Sequence, residues 1–472
     1  MGLEILREDA NPANLVVEVT PPLWQIPAMK ITQLALVVAL STSLVQSEDW
    51  PNFQGPTRMG ISSEKGLNLS GWNKSPPAQL WEKELNEGWG GAAITGNEVF
   101  LVDRDLGEKD RLICLSLADG SEKWQFGFEY PGKLSFPGSR GVPLVEEDAV
   151  YFVSGFGQVF RVNRKSHEQD WMVSIQDKYG AEPPKWGWAQ SAIVVGDILI
   201  VPAMSKDAGL IGLDKKTGKE LWKTEELGDS HSTPVVLNLH GVEQLVFVAS
   251  YNSQGKEEGT TISVDPASGK VIWKTDVYFN KIPIPFATKV TEELVFLTGG
   301  YGNGSCMTRV TKNGDDWKVE KVFDLEQGTQ VHPPFVIGDH LYLLANENAN
   351  HKGADRKTGG LMCLDFDGKT IWHTGDEPFM GRGNMILVDG HLLIQDGEVG
   401  YLRVVKPSPE GYNEVALFDA FGKKAEVDAQ IAKQEGRKTI KVPDFKYWSP
   451  MALSNGHLIV RGQDRMICLD LR

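Results

Sequence analysis

Gly212-Leu213-Asp214-Lys215-Lys216-Thr217-Gly218-Lys219-Glu220-Leu221-Trp222 and Ser263-Val264-Asp265-Pro266-Ala267-Ser268-Gly269-Lys270-Val271-Ile272-Trp273 are two copies of one pattern. In each, an apolar strand ends on an aspartate whose carboxylate can accept N–H groups of the following turn. The turn glycine supplies the positive φ of a tight hairpin, and a tryptophan opens the next strand. Burying an indole removes roughly 150–250 Å² from water, so the ring is a packing element. Weaker copies span Cys114–Trp124, Arg161–Trp171 (Ser166-His167 replacing Thr-Gly), and, with shortened turns, Arg309–Trp317 and Cys363–Trp372. Around Arg403–Phe418 only the strands survive. Recurrence at a period of roughly forty-odd residues signals a repeat architecture.

Between the copies lie apolar hairpins turned by Gly-Asp, Asp-Gly or Asn-Gly, as in Ala192–Ile200, Phe335–Leu343, Met385–Ile394 and Met451–Val460. Hairpin plus aspartate strand plus tryptophan strand makes four antiparallel strands, one propeller blade. Eight inner hairpins and eight aspartate-type third strands count out along the chain. The last third strand, Met466–Asp470, has no fourth strand after it, whereas Gln79–Leu85 is a tryptophan strand with no third strand before it. Joining the two closes a ring and removes exposed sheet edges. The expected fold is all-β: an eight-bladed β-propeller of four-stranded antiparallel blades, closed by pairing N- and C-terminal strands. Radial repetition also explains how 472 residues form one body, since each blade packs only on its neighbours. One insertion, residues 419–447, is rich in Ala, Lys, Glu and Gln and reads as a surface excursion with a short amphipathic helix from Lys423 to Lys438.

The aspartate, Thr-Gly-Lys and tryptophan pattern resembles the tryptophan-docking repeat of the pyrroloquinoline-quinone (PQQ)-like propellers. That superfamily includes quinoprotein dehydrogenases and BamB-like barrel-assembly lipoproteins. Asp49-Trp50-Pro51-Asn52-Phe53-Gln54-Gly55-Pro56 resembles the opening of many secreted bacterial members. The resemblance runs from about Asp49 to Arg472 and implies the fold; activity does not follow from fold.

Met29-Lys30 before the apolar stretch Ile31–Val45, then Gln46-Ser47, reads as a signal peptide over residues 29–47. Its apolar stretch would span about 22 Å as a helix, short of the roughly 30 Å hydrocarbon core, so no transmembrane segment is expected. Residues 1–28 carry Glu4, Glu8, Asp9 and Glu18, the wrong charge for a signal n-region, and read as a spurious extension before a start at Met29. No lipobox cysteine follows, unlike the barrel-assembly lipoproteins, and the expected location is periplasmic or secreted. Residues 48–472 are then the propeller. Net charge is −15 for the whole chain and −13 without residues 1–47, with no Lys/Arg cluster. Nucleic acid is not an expected partner.

Cys114, Cys363 and Cys468 take the same place in three third strands, and Cys306 starts another. Equivalent positions on adjacent blades lie about 10 Å apart, beyond the roughly 7 Å a disulfide allows, so these are small buried hydrophobes. The adjacent Cys-Cys pair typical of quinoprotein alcohol dehydrogenases is missing, as is a Cys-x-x-Cys-His haem site. That resemblance would further require Ca²⁺ on oxygen ligands beneath PQQ and an acid acting as base. Asp103, Asp105, Glu347, Asp376 and Glu377 are available carboxylates, none in a ligand spacing.

Propeller topology converges the loops between blades on one mouth of the central channel. There stand Trp89, Arg140, Trp186, Trp188, His231, His332, Arg382 and Trp448, with His351 in a nearby polar loop. Each tryptophan alone is readily explained by inter-blade packing; as a ring, with cations, they suit a flat ligand or an extended partner segment. The functional expectation is a non-catalytic scaffold binding an unknown protein or small ligand, with no catalytic residue or metal assigned. The alternative is a PQQ- and Ca²⁺-dependent alcohol or sugar dehydrogenase.

Overall fold

The structure, a computed structural model, describes residues 48–472 apart from 106–108, 252–256, 346–353, 356–358, 376, 379, 435–438 and 441–444. Glu347, Asp376 and His351 lie outside the described residues. Eight antiparallel four-stranded sheets follow one another around the ring. Blade 1 is Ala92–Thr95, Glu98–Asp105, Lys109–Ser116 and Glu122–Glu129; blade 2 is Leu144–Val145, Ala149–Val153, Gln158–Asn163 and Gln169–Ser174. Blade 3 is Ile193–Val195, Ile198–Pro202, Leu210–Asp214 and Glu220–Lys223; blade 4 is Val235–Leu239, Val242–Tyr251, Glu258–Val264 and Val271–Thr275. Blade 5 is Thr288–Lys289, Leu294–Gly299, Gly304–Asn313 and Asp316–Leu325; blade 6 is Phe335–Ile337, His340–Leu344, Leu361–Asp365 and Thr370–His373. Blade 7 is Asn384–Val388, His391–Gln395, Tyr401–Val405 and Glu414–Asp419; blade 8 is Ala452–Ser454, His457–Arg461, Arg465–Asp470 and, from the other end of the chain, Ala78–Glu84.

Burial follows from stacking blades face to face. Middle strands such as Ala149–Val153 and Tyr401–Val405 are buried at every residue, because both of their faces meet neighbouring blades. The outer strand Glu122–Glu129 alternates between half-buried and exposed, the period of two expected of a strand with one wet face. Ring closure is a register fact: Trp81 stands opposite Cys468, and Ala78 opposite Asp470.

The repeat now has a mechanism. Asp214 accepts the N–H groups of Lys216 and Thr217 and the Thr217 hydroxyl, and the latter two bonds hold its carboxyl below the usual carboxylate range. The turn so fixed is the floor on which the preceding blade's tryptophan lies. Trp171 of blade 2 donates its indole N–H to Lys215 O of blade 3 at 3.2 Å, and a Cβ on Gly218 would come within 2.8 Å of its ring. Trp222 repeats this on Pro266 and Gly269 of blade 4, and Trp81 on Leu117 and Gly120 of blade 1. Blades 8, 2 and 3 are thus each keyed into the next, whereas Trp273 of blade 4 bonds Gln244 of its own blade.

Two copies depart from the expected pattern. Trp317 does not occupy the docking position of blade 5: the hairpin runs on, pairing Trp317 with Lys312, and Phe323, opposite Met307 just past the bulge, lies against Gly368 of blade 6. The turn of Arg309–Trp317 is short as expected, but the strands continue where the other blades turn, so Trp317 is not the docking residue. In blade 7 the equivalent place, opposite Val404, holds Ala416. Trp72, 2% exposed, joins the same apolar cluster from the N-terminal side and meets Phe418 edge-on.

Residues 48–72 cross the channel at the end where the first and second strands of each blade turn. Trp50 exchanges both backbone hydrogen bonds with Ile94, and Ile61–Ser62 add a fifth, parallel strand to blade 7. In the insertion, the helix Lys424–Ala432 buries Val427 against Val399 and Tyr401. All four cysteines are free and buried. Among the described residues no helix is long and apolar enough to cross a membrane.

Candidate functional site

Seven short contacts close a ring at the channel end opposite the N-terminal segment. Trp448, from the loop between blades 7 and 8, stacks on Trp89, between blades 8 and 1, with centroids 5.3 Å apart. Trp89 meets Phe136 edge-on at 5.9 Å, and Phe136 meets Trp186 at 6.1 Å. Trp186 faces Tyr301 at 6.2 Å, and Gln330 donates to the Tyr301 hydroxyl at 2.9 Å. Arg382 donates to Gln330 Oε1 at 3.3 Å and lays its guanidinium 4.2 Å over Trp448, which completes the circle. His231 lies against this rosette, 5.1 Å from Trp186.

The loops are held rigidly. Trp89 donates its N–H to Pro137 O, and Asn384 fixes the Trp448 carbonyl at 2.6 Å. Arg382 forms a buried ion pair with Glu398, Nε to Oε1 at 2.5 Å. Burial pushes the Glu398 carboxyl up to about 7; Arg382 opposes the shift and Asp396 adds to it. Two lysines complete the surface: Lys446 lies 6.0 Å from the Trp89 ring and 5.8 Å from that of Phe136, and Lys185 lies 5.4 Å from that of Trp186.

Of the residues expected at the mouth, Trp89, Trp186, His231, Arg382 and Trp448 come together in or against the rosette. Arg140 lies behind it, its guanidinium donating to the carbonyls of Gly138 and Phe136, and burial draws its pKa down to about 10. Trp188 stands apart from the rosette: 1% exposed, it bonds Pro202 O and lies over Gly157, packing blades 2 and 3 together. His332 also stands apart, buried against Phe335 with Nε2 3.4 Å from Gln54 of the N-terminal segment. Burial holds both histidines near pKa 4; for His231, Arg140 and Lys185 add to the effect. Phe136 and Gln330 belong to the same class of loop and were open to the same reasoning. Tyr301 was not, because it sits in a turn within blade 5, between its second and third strands.

The chemistry available is recognition by aromatic faces with cations at their margin. Of the candidate carboxylates for a Ca²⁺ ion, the three among the described residues do not come together. Asp103 is taken up by Asn86, Arg111 and Arg461, while Asp105 and Glu377 are exposed. Among the described residues no group of three His, Cys, Asp or Glu side chains is placed to hold a metal ion.

The model of the family described as outer membrane protein assembly factor BamB matches residues 74–278 and 129–374, more than half of the chain. The chain belongs to this family of PQQ-like propellers. Among similar proteins are a polyvinylalcohol dehydrogenase from Pseudomonas sp, 29% identical over 231 residues, and BamB from Yersinia pestis, 23% identical over 245 residues. These alignments cover 45% and 48% of this chain, and the chain spans 32% and 56% of those relatives. Among solved structures, BamB from Moraxella catarrhalis has a TM-score of 0.52 at 11% identity, covering 84% of this chain and 98% of that one. The quinohemoprotein alcohol dehydrogenase from Comamonas testosteroni has 0.54 at 10%, covering 89% and 80%. These establish the shared propeller fold, and the names divide between an assembly factor and dehydrogenases.

Proposed function

We propose that this PQQ-like propeller is a non-catalytic scaffold of the periplasm or the secreted fraction, and that the rosette grips a protein segment or small ligand. Its leader would be residues 29–47, with residues 1–28 outside the translated protein. The observation that carries this reading is the closed circuit from Trp448 through Trp89, Phe136, Trp186, Tyr301, Gln330 and Arg382. Seven side chains from six inter-blade loops and one turn converge on one small surface. An aromatic and cationic surface of this kind recognises flat or extended groups, and a rigid disc supplies the preorganisation that binding needs. A photo-reactive amino acid at position 186 tests it: it should cross-link a discrete partner in a periplasmic extract, whereas one at exposed Leu221 should not. Equal labelling from both positions would defeat the scaffold reading.

The alternative is a PQQ-dependent dehydrogenase, favoured by the similarity to polyvinylalcohol dehydrogenase. The described carboxylates do not fit the Ca²⁺ that such a centre requires. Incubation with PQQ and Ca²⁺ separates the two. Bound-quinone absorbance with dye-linked alcohol oxidation would overturn the scaffold, and neither signal is expected.

A further inference from the structure

We infer that the far end of the channel is a peptide-binding site whose ligand is this chain's own segment from Glu48 to Lys74. The segment behaves as a bound peptide does. It has little secondary structure of its own, and its polar groups are satisfied by blades distant in sequence. Trp50 is 1% exposed, paired by two backbone hydrogen bonds to Ile94 of blade 1, with Gly55 folded over its indole. The Pro51 carbonyl receives Val145 N–H of blade 2, and Arg58 reaches Val194 O of blade 3 at 2.6 Å. Phe53 and Met59 pack on the cluster that joins blades 4 and 5, and Gln54 approaches His332 next to blade 6. Ile61–Ser62 lie parallel to Leu387–Val388 of blade 7. The Glu64 carboxylate, 0% exposed, accepts the N–H groups of Asn455 and Gly456 in blade 8.

One segment therefore engages all eight blades in the three ways a groove recognises a peptide: strand addition, an aromatic anchor in a slot, and a carboxylate on turn amides. The blade-8 strand Ala78–Glu84 begins only after an exposed joint, Asn73–Pro76. Ring closure and occupation of the groove are thus separable events.

The test uses the whole protein with a specific protease site inserted between Lys74 and Ser75. After cleavage, the fragment should stay bound through gel filtration and leave only on unfolding. A synthetic peptide of residues 48–74 should rebind the propeller freed of its fragment and raise its melting temperature. The Trp50→Ala peptide should bind at least about tenfold more weakly, as loss of a fully buried anchor requires. The Glu64→Gln peptide should also bind more weakly. Should the freed propeller fail to stay folded, release is read instead from the cleaved, intact complex carrying Trp50→Ala. Spontaneous loss of the unmodified fragment, or equal retention of unmodified and Trp50→Ala fragments, would overturn the inference.

Discussion

Trp124 lies flat on the imidazole of His167, with centroids 4.5 Å apart and an interplanar angle of 11°. His167 stands where the other turns have glycine and adopts φ of 62°, a conformation that costs a residue with a Cβ about 1–2 kcal/mol. The stack returns roughly 0.5–1.5 kcal/mol of that. His167→Ala, which keeps the strain and loses the stack, should destabilise by about 1 kcal/mol or more in urea titration. His167→Gly, which relieves the strain, should stay within about 1 kcal/mol of the parent.

The reverse experiment belongs at Gly218. Alanine there must hold φ of +71° and place Cβ 2.8 Å from the Trp171 ring. A loss of about 2–3 kcal/mol is expected, measured by denaturation, with Trp171 fluorescence changing in the folded state. Trp222→Ala, which empties the same kind of slot one blade on, should cost about 3–5 kcal/mol.

Arg382 and Glu398 are 5% and 0% exposed, so either one alone is a buried charge. Arg382→Gln should cost about 3–5 kcal/mol. Adding Glu398→Gln should recover a large part of that loss. Additive losses in the double-mutant cycle would show that the pair does not act as a unit.

Buried His332 and half-buried His231 set a pH dependence. Their folded pKa values, about 4, lie below the ordinary 6.5, so between those limits the unfolded chain binds protons that the native state refuses. Stability from each is therefore complete above about pH 6.5 and lost as pH falls towards 4. Asp110 and Glu398, raised by burial to about 6 and 7, tilt the opposite way, losing stability as pH rises above the ordinary carboxylate range. The informative quantity is thus the difference from the parent. His332→Gln should remove a dependence of about one proton between pH 4 and 6.5, read from melting temperatures across that range.

The ring was legible because its devices are local: Asp214, Thr217, Gly218 and Trp222 lie within one hairpin and recur. Blade 5 misled because Trp317 is sequence-adjacent to a strand end, whereas the docking place is set by the bulge between Met307 and Thr308. A bulge leaves no residue signature here. At the mouth, loop position alone nominated Trp89, Trp186 and Trp448 together with Trp188 and His332. What separates them is direction: the first three turn towards the rosette, and the other two turn into the blades. Tyr301 escaped notice because its loop joins strands of a single blade. The reach of Asn52–Glu64 across the channel was invisible, since its contacts with the blades join residues dozens to hundreds of positions apart.

Pairing of Trp81 with Cys468 has a temporal side. A chain made from its N-terminus contains Ala78–Glu84 early, with an unsatisfied strand edge and an indole in water, until Arg465–Asp470 is available to pair with it. Truncation by as little as the final eight residues would strand that early segment permanently.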